Sequence, residues 1–187
     1  MSHLTEEKVE DLIEEPMGDD DIRYYFPSAK IFKYSQLAEY RRLEDLLGVQ
    51  GQPVDYCFLL YEDSPNKGHW TLLSRYGNTV EFFCSYGSKV DEPLGWIPCS
   101  LRKPLHQCKP YMSNLLNQSP FEVVYNPVAY QGEGGDVNSC GRHCVLRLST
   151  LLHDDYRLPQ YYDFLRELHR KSGATYDEIV ATLIHKQ

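Results

Sequence analysis

The sequence contains no long apolar run, and no window approaches the roughly 18 consecutive apolar residues of a membrane span, so no transmembrane helix is expected. It also lacks the basic stretch followed by an apolar run that marks a secretory signal; its first residues are acidic instead, and an intracellular setting is expected. A basic excess is missing as well: 19 Lys and Arg stand against 27 Asp and Glu, for a net charge of −8. Phosphate backbones are bound by surfaces rich in positive charge, so nucleic acid is not an expected partner. Neither an internal repeat nor a low-complexity linker interrupts the chain. The six cysteines, Cys57, Cys84, Cys99, Cys108, Cys140 and Cys144, are spread through 187 residues. A chain of that length does not need disulfide staples, and reduced thiols are expected.

What is present fits one globular domain over residues 1–187, with 42% hydrophobic and 25% charged residues. The charge is not evenly spread. Residues 1–21 carry Glu6, Glu7, Glu10, Asp11, Glu14, Glu15, Asp19, Asp20 and Asp21 against Lys8 alone, a local −8 that equals the charge of the whole chain. This acidic segment reads as a solvated helix or tail, with docking to a basic partner as the sharper alternative.

Periodicity predicts a helix over Leu4–Glu15 and a second from a Ser35 cap through Leu47, ended by Gly48. "DYCFLLY", "HWTLLSRY" and "TVEFFCSYG", the last two joined at Gly77–Asn78, read as consecutive strands with a hairpin between Asp55 and Gly87. "FEVVYN" is a further strand. Helices are expected from about Cys140, over Pro159–Lys171, and from a Thr175 cap to the end. The class is α+β.

The chemistry concentrates where a glycine-rich polar loop meets an apolar helical pattern, in "YQGEGGDVNSCGRHCVLRLSTLL". Cys140 falls in the first helical turn, where unpaired N–H groups and the macrodipole favour an anion and should lower a thiol's pKa. Gly141 removes a side chain from the approach to the sulfur. A thiol nucleophile needs a base. His69 opens a strand after a loop and is followed by Trp70, whose ring is expected to pack beside the imidazole and wall a narrow cleft. His143, on the nucleophile's own helix, is the local rival. The residues alone leave the two open, and they leave open a structural zinc site built on Cys140, His143 and Cys144.

The order "GHWTLL", "FFCSYG", "YQ" and "CGRHC" over about Asp55–Leu152 resembles the adenovirus-protease-like and SUMO-peptidase-like cysteine proteases. Within that group it is most similar to the capsid-maturation proteases of mavirus-type virophages and Maverick/Polinton elements. The resemblance implies a central mixed sheet flanked by helices, with the nucleophile at the N-terminus of a buried helix. It implies Cys140 as nucleophile, His69 as base and Gln131 as oxyanion donor beside the Cys140 N–H, with Asn138 next in line. Trp70 and Gly141 would line the substrate channel.

One position departs from the pattern. Cys84 stands where relatives carry an acid or amide to orient the histidine, and a thiol is a poor acceptor. Glu81, three residues back along the strand, falls on the opposite face. Three arrangements remain: Cys84 as thiol or thiolate partner, a Cys-His dyad, or a carboxylate or amide from elsewhere; a dyad with Cys84 as a weak third member is favoured. No cofactor or metal is implied. The expected substrates are viral capsid proteins cut at glycine-containing sites during particle assembly, in the infected cell and then in the virion. A basic or peptide activator is compatible with the acidic segment. The alternative with the same chemistry is a peptidase of ubiquitin-like modifiers.

Overall fold

The structure is a computed structural model that describes residues 4–47 and 53–186. Five strands form one mixed sheet in the order β1-β2-β3-β4-β5: β1 Lys30–Lys33, β2 Val54–Ser64, β3 Lys67–Tyr76, β4 Thr79–Phe83 and β5 Glu122–Tyr125. The central pairs β2/β3 and β3/β4 are antiparallel hairpins, while β1 and β5 join the edges in parallel. Gly77, with φ of +56°, makes the tight turn between β3 and β4.

The sheet is covered on both faces, which explains why its strands read as near-continuous apolar runs rather than clean alternation. Phe58, Leu60, Trp70, Leu72 and Phe83 point to one side. There they pack against α2 Asp19–Tyr25, α6 Cys140–His153, α7 Leu158–Ser172 and α8 Tyr176–Leu183. Cys57, Leu59, Tyr61, Leu73, Phe82 and Cys84 point to the other side. They meet a 3-10 turn over Tyr34–Glu39, α3 Leu43–Leu47 and α5 Tyr111–Asn117. The remaining helices are α1 Glu6–Glu14, the short α4 Cys99–Arg102 and a second 3-10 turn over Glu92–Trp96. The α+β class and the mixed sheet flanked by helices are therefore as expected.

Two features fix the central layer. Arg147 of α6 reaches through the core to Glu81 of β4 in a two-pronged ion pair, Nε to Oε1 at 2.7 Å and Nη2 to Oε2 at 2.8 Å, with both side chains fully buried. Glu81 is thus turned away from the Cys84 face, as strand alternation requires. Gly68 immediately precedes His69 at φ of +155°, and a Cβ there would lie 1.9 Å from the Tyr61 carbonyl. Only glycine allows β2 and β3 to close at this point.

The expected helix from Ser35 to Leu47 is broken in two. Tyr40 takes an extended backbone and lays its ring edge-on against Phe32, with centroids 5.5 Å apart, which ends the 3-10 turn before α3 begins. The stop assigned to Gly48 lies outside the described residues. Strand β1, α2, α4 and α5 had no signal strong enough to be read. The last helix stops at Leu183 rather than running to the chain end.

Candidate active site

Cys140 is the first residue of α6, and Ser139 is its N-cap. The thiol is 7% exposed, and its sulfur receives the Trp70 backbone N–H at 3.5 Å. His69 is the residue before Trp70 in β3, so the Trp70 contact sets the expected base near the expected nucleophile, although no hydrogen bond joins Sγ to the imidazole. The ring instead places Nε2 3.2 Å from the sulfur of Cys84, just past the end of β4. Among the described residues no carboxylate or amide reaches the His69 ring.

Burial governs the charge states. It pushes the Cys140 thiol up to about 11, against the smaller opposing pull of the Trp70, Gly141 and Cys140 N–H groups. The lowered thiol pKa expected from the helix start is therefore reversed, because desolvation of a thiolate outweighs a helix N-terminus. Burial likewise holds the His69 imidazole down, to about 3, with His143 as a second cause, and it raises the Cys84 thiol. The resting site is uncharged: thiol, neutral imidazole, thiol. If the imidazole carries its proton on Nε2 toward Cys84, Nδ1 is left as the basic nitrogen.

Gln131 is 5% exposed and fully oriented. Its Oε1 accepts from the Ser85 hydroxyl at 2.7 Å, its Nε2 donates to the Val137 carbonyl at 3.0 Å, and its backbone N–H donates to the Ser85 carbonyl at 3.0 Å. One amide N–H remains available for a ligand oxygen. Asn138 is committed elsewhere: its Nδ2 donates to the Glu14 carbonyl at 2.7 Å.

Trp70 and Gly141 lie differently from the expectation. The Trp70 ring does not sit beside the imidazole, since successive strand residues face opposite ways; it is buried, with its indole N–H on the Met17 carbonyl at 2.8 Å. The ring partners of His69 are Tyr86 and Trp96, with centroids at 5.1 and 5.3 Å. At Gly141 the missing side chain makes room for the protein itself: a Cβ would lie 2.8 Å from Met17 Cβ. His143, the rival base, is fully buried and points Nε2 at Asp177 Oδ1, 3.0 Å away. Cys144 turns to the Trp70 carbonyl at 3.5 Å, so Cys140, His143 and Cys144 do not converge as a zinc site would require. Among the described residues no group of three or more metal-ligating side chains is present.

Asp177, from α8, is a residue that sequence reading missed. Its Oδ1 accepts from the Ser139 hydroxyl at 2.5 Å, its Oδ2 accepts from the Gly132 N–H at 2.8 Å, and it also holds His143. One carboxylate thereby ties the residue after Gln131 to the residue before Cys140. The His143 and Ser139 hydrogen bonds, the His143 charge and the Gly132 N–H lower its pKa, although burial, the largest single influence, opposes them. Forty-five residues separate Asp177 from Gly132, and no local pattern announces such a pairing.

The geometry defines an α+β protein with a buried cysteine at a helix start, flanked by a histidine–cysteine pair and an oriented glutamine. No protein-family profile matches the chain. It is 37% identical over 156 residues to the uncharacterized protein V9 of Sputnik virophage, covering 83% of this chain and 85% of that protein. The chain belongs to the family of that virophage protein. It also resembles the crystal structure of the ASFV pS273R protease, over 98% of this chain and 68% of the other, with TM-score 0.45 and 14% identity. That likeness is too distant to carry an argument. No described helix is long and apolar enough to cross a membrane.

Proposed function

We propose that the protein is a virophage-type cysteine endopeptidase that cuts capsid proteins at glycine-containing sites during particle maturation. The observation that supports the reading is a chain of contacts around one spot: the Trp70 N–H, next to His69, meets the Cys140 sulfur, His69 meets Cys84, and Ser85, next to Cys84, holds Gln131. Cys140 Sγ attacks the scissile carbonyl while its proton passes to His69. The tetrahedral oxyanion is held by the Cys140 N–H and the spare N–H of Gln131. His69 then gives its proton to the leaving amine, and water hydrolyses the thioester to regenerate the thiol. Cys84 orients the imidazole weakly, in the place of an acid.

The burial of the thiol supports the glycine preference, because a substrate segment must present its backbone with little beside it to approach a sulfur that is 7% exposed. The virophage relationship supports the biological setting, in the infected cell and then in the particle. The test is incubation with virophage capsid proteins beside a Cys140→Ala control, with intact-mass analysis of the fragments. One or a few cuts next to glycine, absent in the control, are expected. Release of a ubiquitin-like modifier with no cleavage of capsid protein would instead assign the same chemistry to the modifier peptidases.

A further inference from the structure

Beside the site lies an open cavity of about 460 Å³ whose lining includes Tyr86, Ser88, Trp96, Gln131 and Glu133. Trp96 is 49% exposed, although its ring packs edge-on against both His69 and Tyr86, the latter with centroids 5.4 Å apart. An aromatic surface left open against a buried imidazole is a surface placed for a ligand. Its position relative to the reaction follows from the chemistry. The general acid must reach the nitrogen that leaves, so the rings that flank His69 border the part of the substrate C-terminal to the scissile bond.

The charge of this cavity has one sign. Its lining includes Glu133 and neither lysine nor arginine. The carboxylates that act on the Tyr86 phenol are Asp177 and Glu133, both raising its pKa, alongside Cys140 and Cys84 and behind burial as the largest cause. Asp177 is committed to Gly132, Ser139 and His143, which leaves Glu133, exposed on the loop after Gln131, as the carboxylate free for a ligand. A long cationic side chain fits both features: its methylenes lie on the Trp96 and Tyr86 faces and its head meets Glu133.

Resting on the protease reading, we infer that this cavity is a specificity subsite that selects lysine or arginine within the first residues after the cleaved bond. The substrate is then a glycine followed closely by a basic residue, and the acidic character of the loop is a selection device rather than a solvated surface.

The test uses the full chain and peptides of one glycine-containing sequence, with Lys, Arg, Leu or Asp at each of the first few positions after the bond. Cleavage is quantified as kcat/KM by mass spectrometry. At one position Lys and Arg are expected to exceed Asp by about tenfold, the combined scale of one cation–π contact and one partly exposed ion pair. Glu133→Gln should erase the Lys-over-Asp preference, and Glu133→Lys should invert it. Equal cleavage of Lys and Asp peptides at every position, or a preference that survives Glu133→Lys, overturns the subsite and leaves the protease reading standing. Absence of any Cys140-dependent cleavage overturns both.

Discussion

At Cys140 two forces act on the same thiol in opposite directions, and burial wins, holding its pKa near about 11. At pH 7 roughly one thiol in ten thousand is then ionised, and His69, held to about 3, does not take up the proton at rest. Because the raised thiol loses its proton only as pH climbs, alkylation of Cys140 by iodoacetamide should accelerate about tenfold per unit from pH 6 to 9. Peptide mapping resolves Cys140 from the exposed Cys99 and Cys108; a plateau below pH 7 would mean a preformed thiolate–imidazolium pair. On the proposed mechanism, Gln131→Ala should lower kcat by about a hundred- to thousandfold with little change in substrate binding, since an oxyanion donor serves charge that develops only in the transition state. An unchanged kcat would remove Gln131 from the oxyanion site. Cys84→Asp should retain or raise activity, and Cys84→Ala should cost modestly. Complete loss in a folded Cys84→Ala variant would show that the thiol is indispensable. Cys140 and His69 stood out as candidates by chemical type and neighbours, whereas Gln131 and Cys84 became candidates only through the family resemblance. Trp96, Ser85 and Asp177 were not, because their roles depend on distances across the fold.

Between elements, the joint that matters is the one that presses α6, carrying Cys140, onto the strands that carry His69 and lead to Cys84. The Glu81–Arg147 pair is that joint, fully buried and bidentate, with Arg147 also donating to the Tyr156 carbonyl at 2.9 Å and lying over the Tyr161 ring. Removing one partner leaves a buried charge uncompensated, so Arg147→Met should cost about 3–5 kcal/mol in unfolding free energy. The double change Glu81→Gln with Arg147→Met should recover much of that loss. Chemical denaturation of the single and double variants measures it; additive losses would show that the two side chains do not act as a pair. A second joint runs through Asp177. Asp177→Ala should lower kcat more than it raises KM, because it frees Gly132 and Ser139 together and so loosens both of the proposed oxyanion donors. Asp177→Asn should recover part of the activity by accepting from Gly132; a fall in stability with kcat intact would make Asp177 merely structural. The central strands could be read as apolar runs between turn residues because both their faces are buried, and α6 from its helical periodicity. Strand β1 and α4 have only four residues each and α5 only seven, so their form comes from what they pack against and not from their own pattern.

Across the whole molecule, the acidic segment that carries a charge equal to the total is bound through its backbone more than through its charge. Asn138 N–H and Nδ2 donate to the carbonyls of Ile13 and Glu14 at 2.8 and 2.7 Å, Arg142 Nη1 to that of Glu15 at 2.6 Å, and Trp70 Nε1 to that of Met17 at 2.8 Å. Residues 13–17 are thus laid across the start of α6, with Met17 filling the space that Gly141 leaves. The ion pairs are secondary: Arg142 lies 3.8 Å from an exposed Glu15 carboxylate, and Lys186 meets Asp21 at 2.6 Å on the surface, a class of contact worth about 0–1 kcal/mol. Main-chain carbonyls are indifferent to side-chain charge and to salt, whereas an electrostatic clamp weakens as the Debye length shrinks. Replacing Glu6, Glu7, Glu10 and Asp11 by their amides should therefore leave the melting temperature and peptide cleavage nearly unchanged, at low salt and at 0.5 M alike (about 4 Å screening). Deleting residues 1–18 should do the opposite: it strips the partners of Trp70, Asn138 and Arg142, uncovers Gly141, and should lower both the melting temperature and kcat. A deletion variant with full activity and stability would return the segment to the status of a solvated tail. A strong salt dependence abolished by the four amides would instead make its charge the device that holds it.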